Sequence, residues 1–461
     1  MRPERPRCQH RNVTPLLFRR RFASAASRHP AAAGTRPAAL SACVLALGIA
    51  AAACGRTAAE PAPVDAAEPK ATRPRDVADA DVAPLRRELL QLAFEAASKF
   101  PSTPHRKNRG RAQEEVLEAC FAIGLPRLAL QFAPQAEGWR RGLAYADVAY
   151  QSARQGATER FDDYLALAEA VVAAESAAPN FQRWRVDKVR QKISRALAAC
   201  GRTEKALEVA AAIDSASRAS VDANWTATVA TRVQDTDAAQ ARRDLEAITE
   251  SWENQSLGEQ YTSLLVLSAL HGRFFADATL REELEERVFL RYLKLPAGLR
   301  LDAMAPMVGH CLANEDLEGA RAVIARMDAL VAQTRWRTED RLPQLARIAE
   351  LRVDTGEPDR ARAELEAALA VYQAERGQMF DIYRCEALRP VALGFHKLGD
   401  AEQFAGLLAL AVEEGAENPN ARPRCDDLVA TCVVLAKRGI EPPAEVMARL
   451  REISEGLKEP W

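Results

Sequence analysis

Residues 342–369 read LPQLARIAELRVDTGEPDRARAELEAAL, which is two amphipathic stretches separated by a turn at Gly356. Glycine readily adopts the left-handed conformation that ends a helix, and Pro358 suits the first turn of the next helix, where its missing N–H needs no partner. Small and apolar residues of the second stretch fall on one helical face, namely Ala361, Leu365, Ala368 and Tyr372. The stretch therefore predicts two antiparallel helices.

The same arrangement recurs about every forty residues. A turn residue is followed five positions later by a small residue at Gly124/Ala129, Gly201/Ala206, Asn314/Gly319 and Gly439/Ala444, and looser copies turn at Gly156, Gly272, Gly399 and around Asp235. Units of this kind stack on their neighbours in the chain. We therefore expect an all-α fold, an α-solenoid of about nine antiparallel helical hairpins.

The glycine-then-alanine spacing between paired helices resembles the tetratricopeptide repeat family over roughly residues 110–461. Most repeats here are 40 residues or longer, whereas tetratricopeptide units have about 34. The resemblance implies that the first helix of each hairpin lines a concave groove, and that basic residues in this groove bind carboxylates of peptides.

Composition agrees with a helical protein. The chain has 461 residues, of which 48% are hydrophobic, 28% charged and only 6% aromatic. It is rich in Ala, Leu, Glu and Arg, which favour helices, and alternating runs of Val, Ile and Thr are scarce. A packed helical domain is the expectation for residues 83–461.

Residues 1–54 have the pattern of an export signal. Nine arginines and one glutamate precede an uncharged, alanine-rich segment that ends at Cys54. Small residues directly before Cys54 resemble a bacterial lipoprotein signal, in which this cysteine is lipidated and becomes the mature N-terminus. We therefore expect an exported, membrane-anchored lipoprotein of the bacterial cell envelope, on the periplasmic side or at the outer membrane. An uncleaved membrane anchor, a transit peptide and a start codon placed too early remain alternatives.

Residues 55–82 are rich in Ala and Pro and predict an extended tether. Without the nine arginines and the one glutamate of residues 1–53, 54 basic and 63 acidic residues remain, a formal charge of −9. Binding to nucleic acid needs a basic face, so this balance argues against such a partner.

Sequence motifs for catalysis, metal binding or cofactor binding are missing. Cys120, Cys200 and the other cysteines form no Cys-x-x-Cys pair. Cys385 and Cys425 occupy equivalent points of neighbouring repeats, which leaves a disulfide open, although buried thiols are favoured. His310 and Cys311 are adjacent, but they point about 100° apart on a helix and lack an orienting third group. We therefore expect no enzyme, no cofactor and no metal site.

A row of arginines is the candidate binding site. They stand 14 to 16 positions before their turn residue, close to one phase of the first helices, and two of them follow a tryptophan. The set consists of Arg140, Arg185, Arg300, Arg341, Arg384 and Arg424, with Trp139 and Trp184. The planar guanidinium holds carboxylates in a bidentate manner. Acids two positions later, as in Arg300-Leu-Asp302, leave open that the arginines pair within the protein and that the tryptophans are core residues.

The sequence thus predicts a noncatalytic scaffold that binds a protein or peptide with acidic groups. One alternative is an enzyme acting on glycans in an α/α toroid, a closed ring of helices with paired carboxylates. Scarcity of aromatic residues disfavours this alternative, because sugar sites use aromatic platforms. A purely structural spacer is the third alternative.

Overall fold

The computed structural model describes residues 76–214, 237–255, 257–290 and 295–461, and within these ranges the chain is all-α and has no strand. The predicted export signal with Cys54, residues 55–75 of the predicted tether and the turn around Asp235 lie outside the described residues. The helices are α1 (Pro84–Ser98), α2 (Ser102–Ala122), α3 (Pro126–Phe132), α4 (Arg140–Arg154), α5 (Phe161–Ser176), α6 (Arg183–Ala199), α7 (Thr203–Ala211), α8 (Ala238–Ser251), α9 (Leu257–Arg273), α10 (Ala278–Leu290), α11 (Ala297–Ala313), α12 (Leu317–Gln333), α13 (Thr338–Asp354), α14 (Pro358–Glu375), α15 (Asp381–Lys397), α16 (Ala401–Ala416), α17 (Ala421–Arg438) and α18 (Ala444–Glu455).

Turn glycines end the first helices as the sequence predicted. The left-handed conformation, with φ between 67° and 78°, is adopted at Gly124, Gly156, Gly201, Gly356, Gly399 and Gly439. Two turns differ. Gly272 lies inside α9, and at the Asn314 turn the left-handed residue is Glu315, with a φ of 60°. There, the Asp316 side chain accepts a hydrogen bond from the Gly319 amide at 2.8 Å and caps α12.

The predicted apolar face of α14 is buried, with Ala361 and Leu365 at 0% exposure and Ala368 and Tyr372 at 1%. Several first helices pack against their partner and against the next first helix, as α4 does against α5 and α6, and α13 against α14 and α15. In these places two first helices lie side by side, because each contributes one side to its partner and another to its neighbour.

The last helices pack against the first ones. Helix α17 contacts α1 and α2, and one hydrophobic core cluster contains residues from both ends of the described chain. Arg86 donates to the Ala436 carbonyl at 2.6 Å, and the rings of Phe100 and Trp461 lie 4.9 Å apart. The sequence predicted contacts between neighbouring units only. This expectation is wrong at the two ends, because Arg86 satisfies a free carbonyl at the C-terminal end of α17.

Residues 76–80 form an extended segment, here called the strap, that lies against the hairpin turns. Val77 is fully buried. The Gln155 side chain accepts from the Ala78 amide and donates to the Ala78 carbonyl, both at 2.8 Å, and the Ala80 amide donates to the Gly124 carbonyl at 2.7 Å. The sequence placed these residues in the tether, which it extended to residue 82. Burial of Val77 and the backbone hydrogen bonds instead make the strap part of the helical domain.

Within the described ranges, no helix combines the length and the apolar character that crossing a membrane requires. Cys385 and Cys425 are buried free thiols. The Cys425 thiol donates to the Ala96 carbonyl at 3.3 Å, so it takes part in the contact between α17 and α1.

Candidate functional site

Four of the eight residues predicted for binding meet at the N-terminal ends of α4 and α6. Trp139 immediately precedes α4, and Trp184 is the second residue of α6. Their rings pack edge to face, with centroids 5.4 Å apart and an interplanar angle of 75°. This arrangement is favourable for aromatic pairs. The 45-residue step between Gly156 and Gly201 places the two tryptophans in the same phase of adjacent first helices.

Close packing of α4 holds the two rings together. Gly142 lies three residues after Trp139, and a Cβ there would come 3.0 Å from side-chain carbons of both Val171 in α5 and Val189 in α6. Valine is stiff at χ1 and gives way poorly. Glycine at this position therefore lets α4 approach its two neighbours closely.

Three cations lie on the tryptophan rings. The Lys188 ammonium is 5.2 Å from the Trp139 ring centroid and 5.0 Å from the Trp184 centroid, so it contacts both rings. The guanidinium of Arg140 is 4.4 Å from the Trp139 centroid, and that of Arg185 is 5.6 Å from the Trp184 centroid. These are cation–π distances. The five residues are called the aromatic–cationic cluster below.

The two arginines of the cluster differ in their partners. Arg140 is buried and its Nε donates to Glu114 Oε2 of α2 at 2.6 Å, so its charge is compensated inside the protein. Arg185 makes no hydrogen bond or ion pair with its side chain in the described part of the chain, and its Nε is buried without a partner. A buried donor without an acceptor is unfavourable. Arg185 is therefore the group of the cluster that an added carboxylate stabilises most.

The cluster is partly exposed. Trp184 is 36% exposed, whereas Trp139 is only 4% exposed, and Phe181, three residues before Trp184 in the sequence, is 46% exposed. The Trp184 indole donates to Gln182 Oε1 at 2.9 Å, which fixes the ring although the residue is partly exposed. An exposed aromatic surface beside an uncompensated guanidinium fits an acidic segment that also carries apolar side chains.

The remaining predicted arginines share a phase but not a surface environment. Arg300, Arg341, Arg384 and Arg424 are each the fourth residue of their helix, in α11, α13, α15 and α17. Arg384 donates to the Met379 carbonyl at 3.1 Å and lies 3.6 Å from Glu414. Arg341 is exposed, and Arg424 is half-buried, with an Nε that has no partner in the described residues.

Two of the acids that follow these arginines pair within the protein. Asp302 accepts from Arg347 of the next first helix at 2.6 Å, and Asp187 accepts from Arg190 at 3.2 Å within α6. Glu414, the acid beside Arg384, is also paired within the protein. Burial alone would raise the pKa of its carboxyl, but a hydrogen bond from Arg376 holds that pKa below its ordinary value. Structural pairing therefore accounts for part of the arginine pattern.

The surroundings of Cys311 and His310, the adjacent pair noted in the sequence, do not activate the thiol. Cys311 is 1% exposed, and burial raises the pKa of its thiol to about 12, so the thiol is protonated near neutral pH. His310 Nδ1 lies 3.3 Å from Nδ1 of His271, a residue 39 positions earlier, so this ring nitrogen contacts another histidine. No group of three or more His, Cys, Asp or Glu in the described ranges is placed to hold a metal ion.

Comparison of the chain with protein families, curated proteins and solved structures finds no match.

Lys188, Phe181 and Gln155 were missed by the sequence argument. Lys188 is four residues after Trp184, which places the two on one face of α6, and this spacing was an available signal. Phe181 precedes the helix and has no periodic position. Gln155 is one residue before a turn glycine, and nothing in the sequence marks it as a partner of the strap.

Proposed function

We propose that this protein is a noncatalytic scaffold that binds a protein or peptide segment carrying acidic and apolar residues at the aromatic–cationic cluster. The observation that carries the proposal is the half-exposed Trp184 beside Arg185, whose guanidinium has no hydrogen-bonding or ionic partner among the described residues. The Arg185 guanidinium donates two hydrogen bonds to a carboxylate of the partner, and an apolar side chain of the partner covers Trp184 and Phe181.

The strap supports the idea that the helical pairs hold extended segments. Asp76 accepts from the Tyr164 hydroxyl, and the Asp79 carboxylate accepts from the Arg127 amide at 2.7 Å. Burial, together with the hydrogen bond to Asp76, raises the pKa of Tyr164 to about 12, so this hydroxyl is a donor over the physiological pH range. An acidic, extended segment of the same chain is thus already bound through its backbone and its carboxylates.

We further propose that the scaffold is a tetratricopeptide-like array of about nine hairpins, exported to the cell envelope and anchored through a lipidated Cys54. Repeat spacing and the segment before Cys54 support this part. Mass spectrometry of the N-terminus from the native membrane is expected to give a peptide that begins with a diacylglyceryl Cys54, and Cys54→Ser is expected to release the protein from the membrane. An unmodified N-terminus elsewhere would contradict the anchoring proposal.

The test of binding uses an array of synthetic twelve-residue peptides in which the numbers of acidic and apolar residues vary independently. Peptides with both kinds are expected to bind best. Trp184→Ala and Arg185→Ala are each expected to weaken the best peptide by about 2 kcal/mol, roughly thirtyfold, as at other binding hot spots. The matched control is Phe380→Ala, which removes an aromatic side chain that is 67% exposed and lies elsewhere.

Binding that the two cluster variants leave unchanged would refute the site. Binding that follows net charge alone, without an apolar requirement, would refute the proposed ligand class. A complete lack of binding across the array would favour the structural spacer over the scaffold. Circular dichroism of each variant tests whether it is folded. We expect Trp184→Ala and Arg185→Ala to fold, because Trp184 is exposed and Arg185 is half-exposed.

The contact between the two ends of the chain favours a second candidate, an α/α-toroid enzyme that acts on glycans. Three carboxylates from different first helices lie near Arg389, namely Glu115 of α2, Glu386 of α15 and Asp427 of α17. Burial favours the neutral form of Arg389, but Cys385 and these three carboxylates hold its pKa above the ordinary value. Glu386→Gln and Glu115→Gln are expected to abolish glycan hydrolysis if this candidate is correct. Absence of hydrolysis across a panel of polysaccharides and peptidoglycan fragments would eliminate it.

A further inference from the structure

A cavity lies far along the chain from the aromatic–cationic cluster. It is a groove between α10 and α12 with α11 as its floor, and its volume is about 610 Å³. Cavities of roughly 300–1,000 Å³ hold small molecules. Its apolar residues Val288, Phe289, Met304 and Leu330 belong to or pack on the hydrophobic core cluster of the central helices, which is separate from the core under the two tryptophans. We call it the α10–α12 groove.

The groove carries opposite charges that do not meet. Glu282 and Glu286 line the α10 side, whereas Arg300 of α11 and Arg326 of α12 line the rest. In the described part of the chain, neither arginine has an acidic oxygen within the 4.0 Å of an ion pair, and Glu282 and Glu286 have no ion-pair partner either. Oppositely charged side chains in one groove normally close on each other. Here a space remains between them.

Both arginines are held in place without an anion. Arg300 is half-buried, its Nε is buried without a hydrogen-bond acceptor, and burial lowers its pKa from the ordinary value. The Arg326 guanidinium lies over the Phe289 ring, 4.2 Å from its centroid. An anion at Arg300 would supply the missing acceptor, so the groove is complete only when a negatively charged group is bound.

The floor of the groove is apolar. Met304 is 4% exposed, and Phe289 and Leu330 are partly buried hydrophobic residues that pack on the same core. Methionine adapts its shape to irregular apolar groups. The site therefore combines cations, an apolar surface and carboxylates in one groove.

The two carboxylates of α10 lie within a few turns of Phe289. Glu286 precedes Phe289 by three residues and Glu282 by seven, which corresponds to about 4.5 Å and about 10 Å along the helix axis. An extended dipeptide spans about 7 Å. Glu286, Glu282 and Arg300 all line one cavity of about 610 Å³, so a ligand that meets both charges inside it is short.

We propose that the α10–α12 groove binds a short zwitterionic peptide, with its carboxylate on Arg300, its ammonium group on Glu286 and Glu282, and an apolar side chain over Met304 and Phe289. This site is independent of the aromatic–cationic cluster, and its existence does not depend on the proposed scaffold function. Recognition of both termini restricts the ligand to free amino acids and very short peptides, because a longer chain separates the two charges too far.

The test is isothermal titration of the full-length protein with leucyl-leucine, N-acetyl-leucyl-leucine and leucyl-leucine amide. Leucyl-leucine is expected to bind, and each blocked form is expected to bind at least about tenfold more weakly, because one charge-assisted contact is lost. The variant Arg300→Gln is expected to remove the discrimination against the amide while that against the acetylated form persists. Glu286→Gln is expected to give the opposite pattern.

Arg243→Gln on α8 is the matched control, since Arg243 is exposed and lies outside the groove. It is expected to leave all three affinities unchanged. Glu286 is exposed, so its variant keeps the fold even if Arg300→Gln does not. No binding of leucyl-leucine at 10 mM to the folded wild-type protein, or equal weakening of all three ligands by both groove variants, would overturn the proposal.

Discussion

A buried ion pair joins the two helices that carry the aromatic–cationic cluster. Lys192 of α6 donates to Asp147 of α4, and the two residues are 6% and 8% exposed. Because α4 positions Trp139 and α6 positions Trp184, this pair fixes the helices relative to each other. We expect Lys192→Met, which keeps the length of the side chain but removes the charge, to loosen both helices.

The expected loss of stability follows from the burial of the Asp147 carboxylate, which remains without its partner. Removing one partner of a buried pair costs about 3–5 kcal/mol. At about 1.4 kcal/mol for each factor of ten, amide hydrogen exchange in residues 140–154 and 183–199 is expected to accelerate by roughly two to three and a half orders of magnitude. Hydrogen exchange with mass spectrometry measures this locally, so it does not require the whole chain to unfold in one step.

Two controls distinguish the effect of breaking a buried ion pair from the effect of removing any lysine. Lys205→Met removes an exposed lysine of α7 and is expected to change stability by about 0.5 kcal/mol or less. The double variant Lys192→Met with Asp147→Leu is expected to restore slow exchange, because an apolar pair replaces an ionic one at little cost. Acceleration below tenfold in Lys192→Met, or an equally fast double variant, would show that this ion pair does not hold α4 and α6 together.

Three further predictions concern packing, the strap and the thiols. Gly394→Ala is expected to destabilise the protein by about 1–3 kcal/mol in urea denaturation, because its Cβ would come 2.7 Å from a fully buried leucine of α14; Gly406→Ala, with no atom within 4 Å, is expected to be neutral or stabilising, and equal effects would contradict this. Gln155→Ala removes both side-chain hydrogen bonds to the strap and is expected to accelerate proteolytic cleavage before residue 84; unchanged cleavage would count against the strap. At pH 8, Cys200, which is half-exposed, is expected to react with maleimide first among the six cysteines of the described residues, while burial raises the pKa of Cys385 to about 12 and leaves about one thiolate in ten thousand; peptide mapping that finds equal labelling of Cys200 and Cys385 in the folded protein would contradict the burial.

Local sequence signals were sufficient for the helical pairs. At the pair formed by α13 and α14, Gly356 and Pro358 act through their own backbone preferences, and the apolar spacing of α14 repeats with the helical period. Both signals are short-range, so they are visible in one segment. The Asn314 turn shows the limit, because the left-handed residue there is Glu315, a residue type that seldom adopts this conformation.

Contacts between distant segments were not predictable. Arg86 and Ala436 are 350 residues apart, and an arginine that donates to helix carbonyls has the same sequence signature as a solvated one. The strap was mistaken for tether because only one of its residues, Val77, is both apolar and large, while its other contacts use the backbone. Backbone hydrogen bonds leave no trace in composition.

The candidate site was predictable only in part, because sequence spacing relates positions on neighbouring helices but does not identify their contacts. Equal phase in neighbouring first helices predicted that Trp139 and Trp184 are related, and the structure places them in contact. Phase alone did not reveal that Arg140 and Arg384 have partners in the protein, because Glu114 and Glu414 lie on other helices. The partners of a cation depend on the packing of helices, which a single sequence does not specify.

A double-mutant cycle between Arg185 and a carboxylate of the best-bound peptide from the array measures the contact on which the proposed binding depends. Wild type and Arg185→Ala are each titrated with that peptide and with its version in which one aspartate is replaced by asparagine. A coupling energy of about 1.5–3 kcal/mol is expected if the guanidinium binds that carboxylate. A coupling energy below about 0.3 kcal/mol for every acidic position of the peptide would contradict the account.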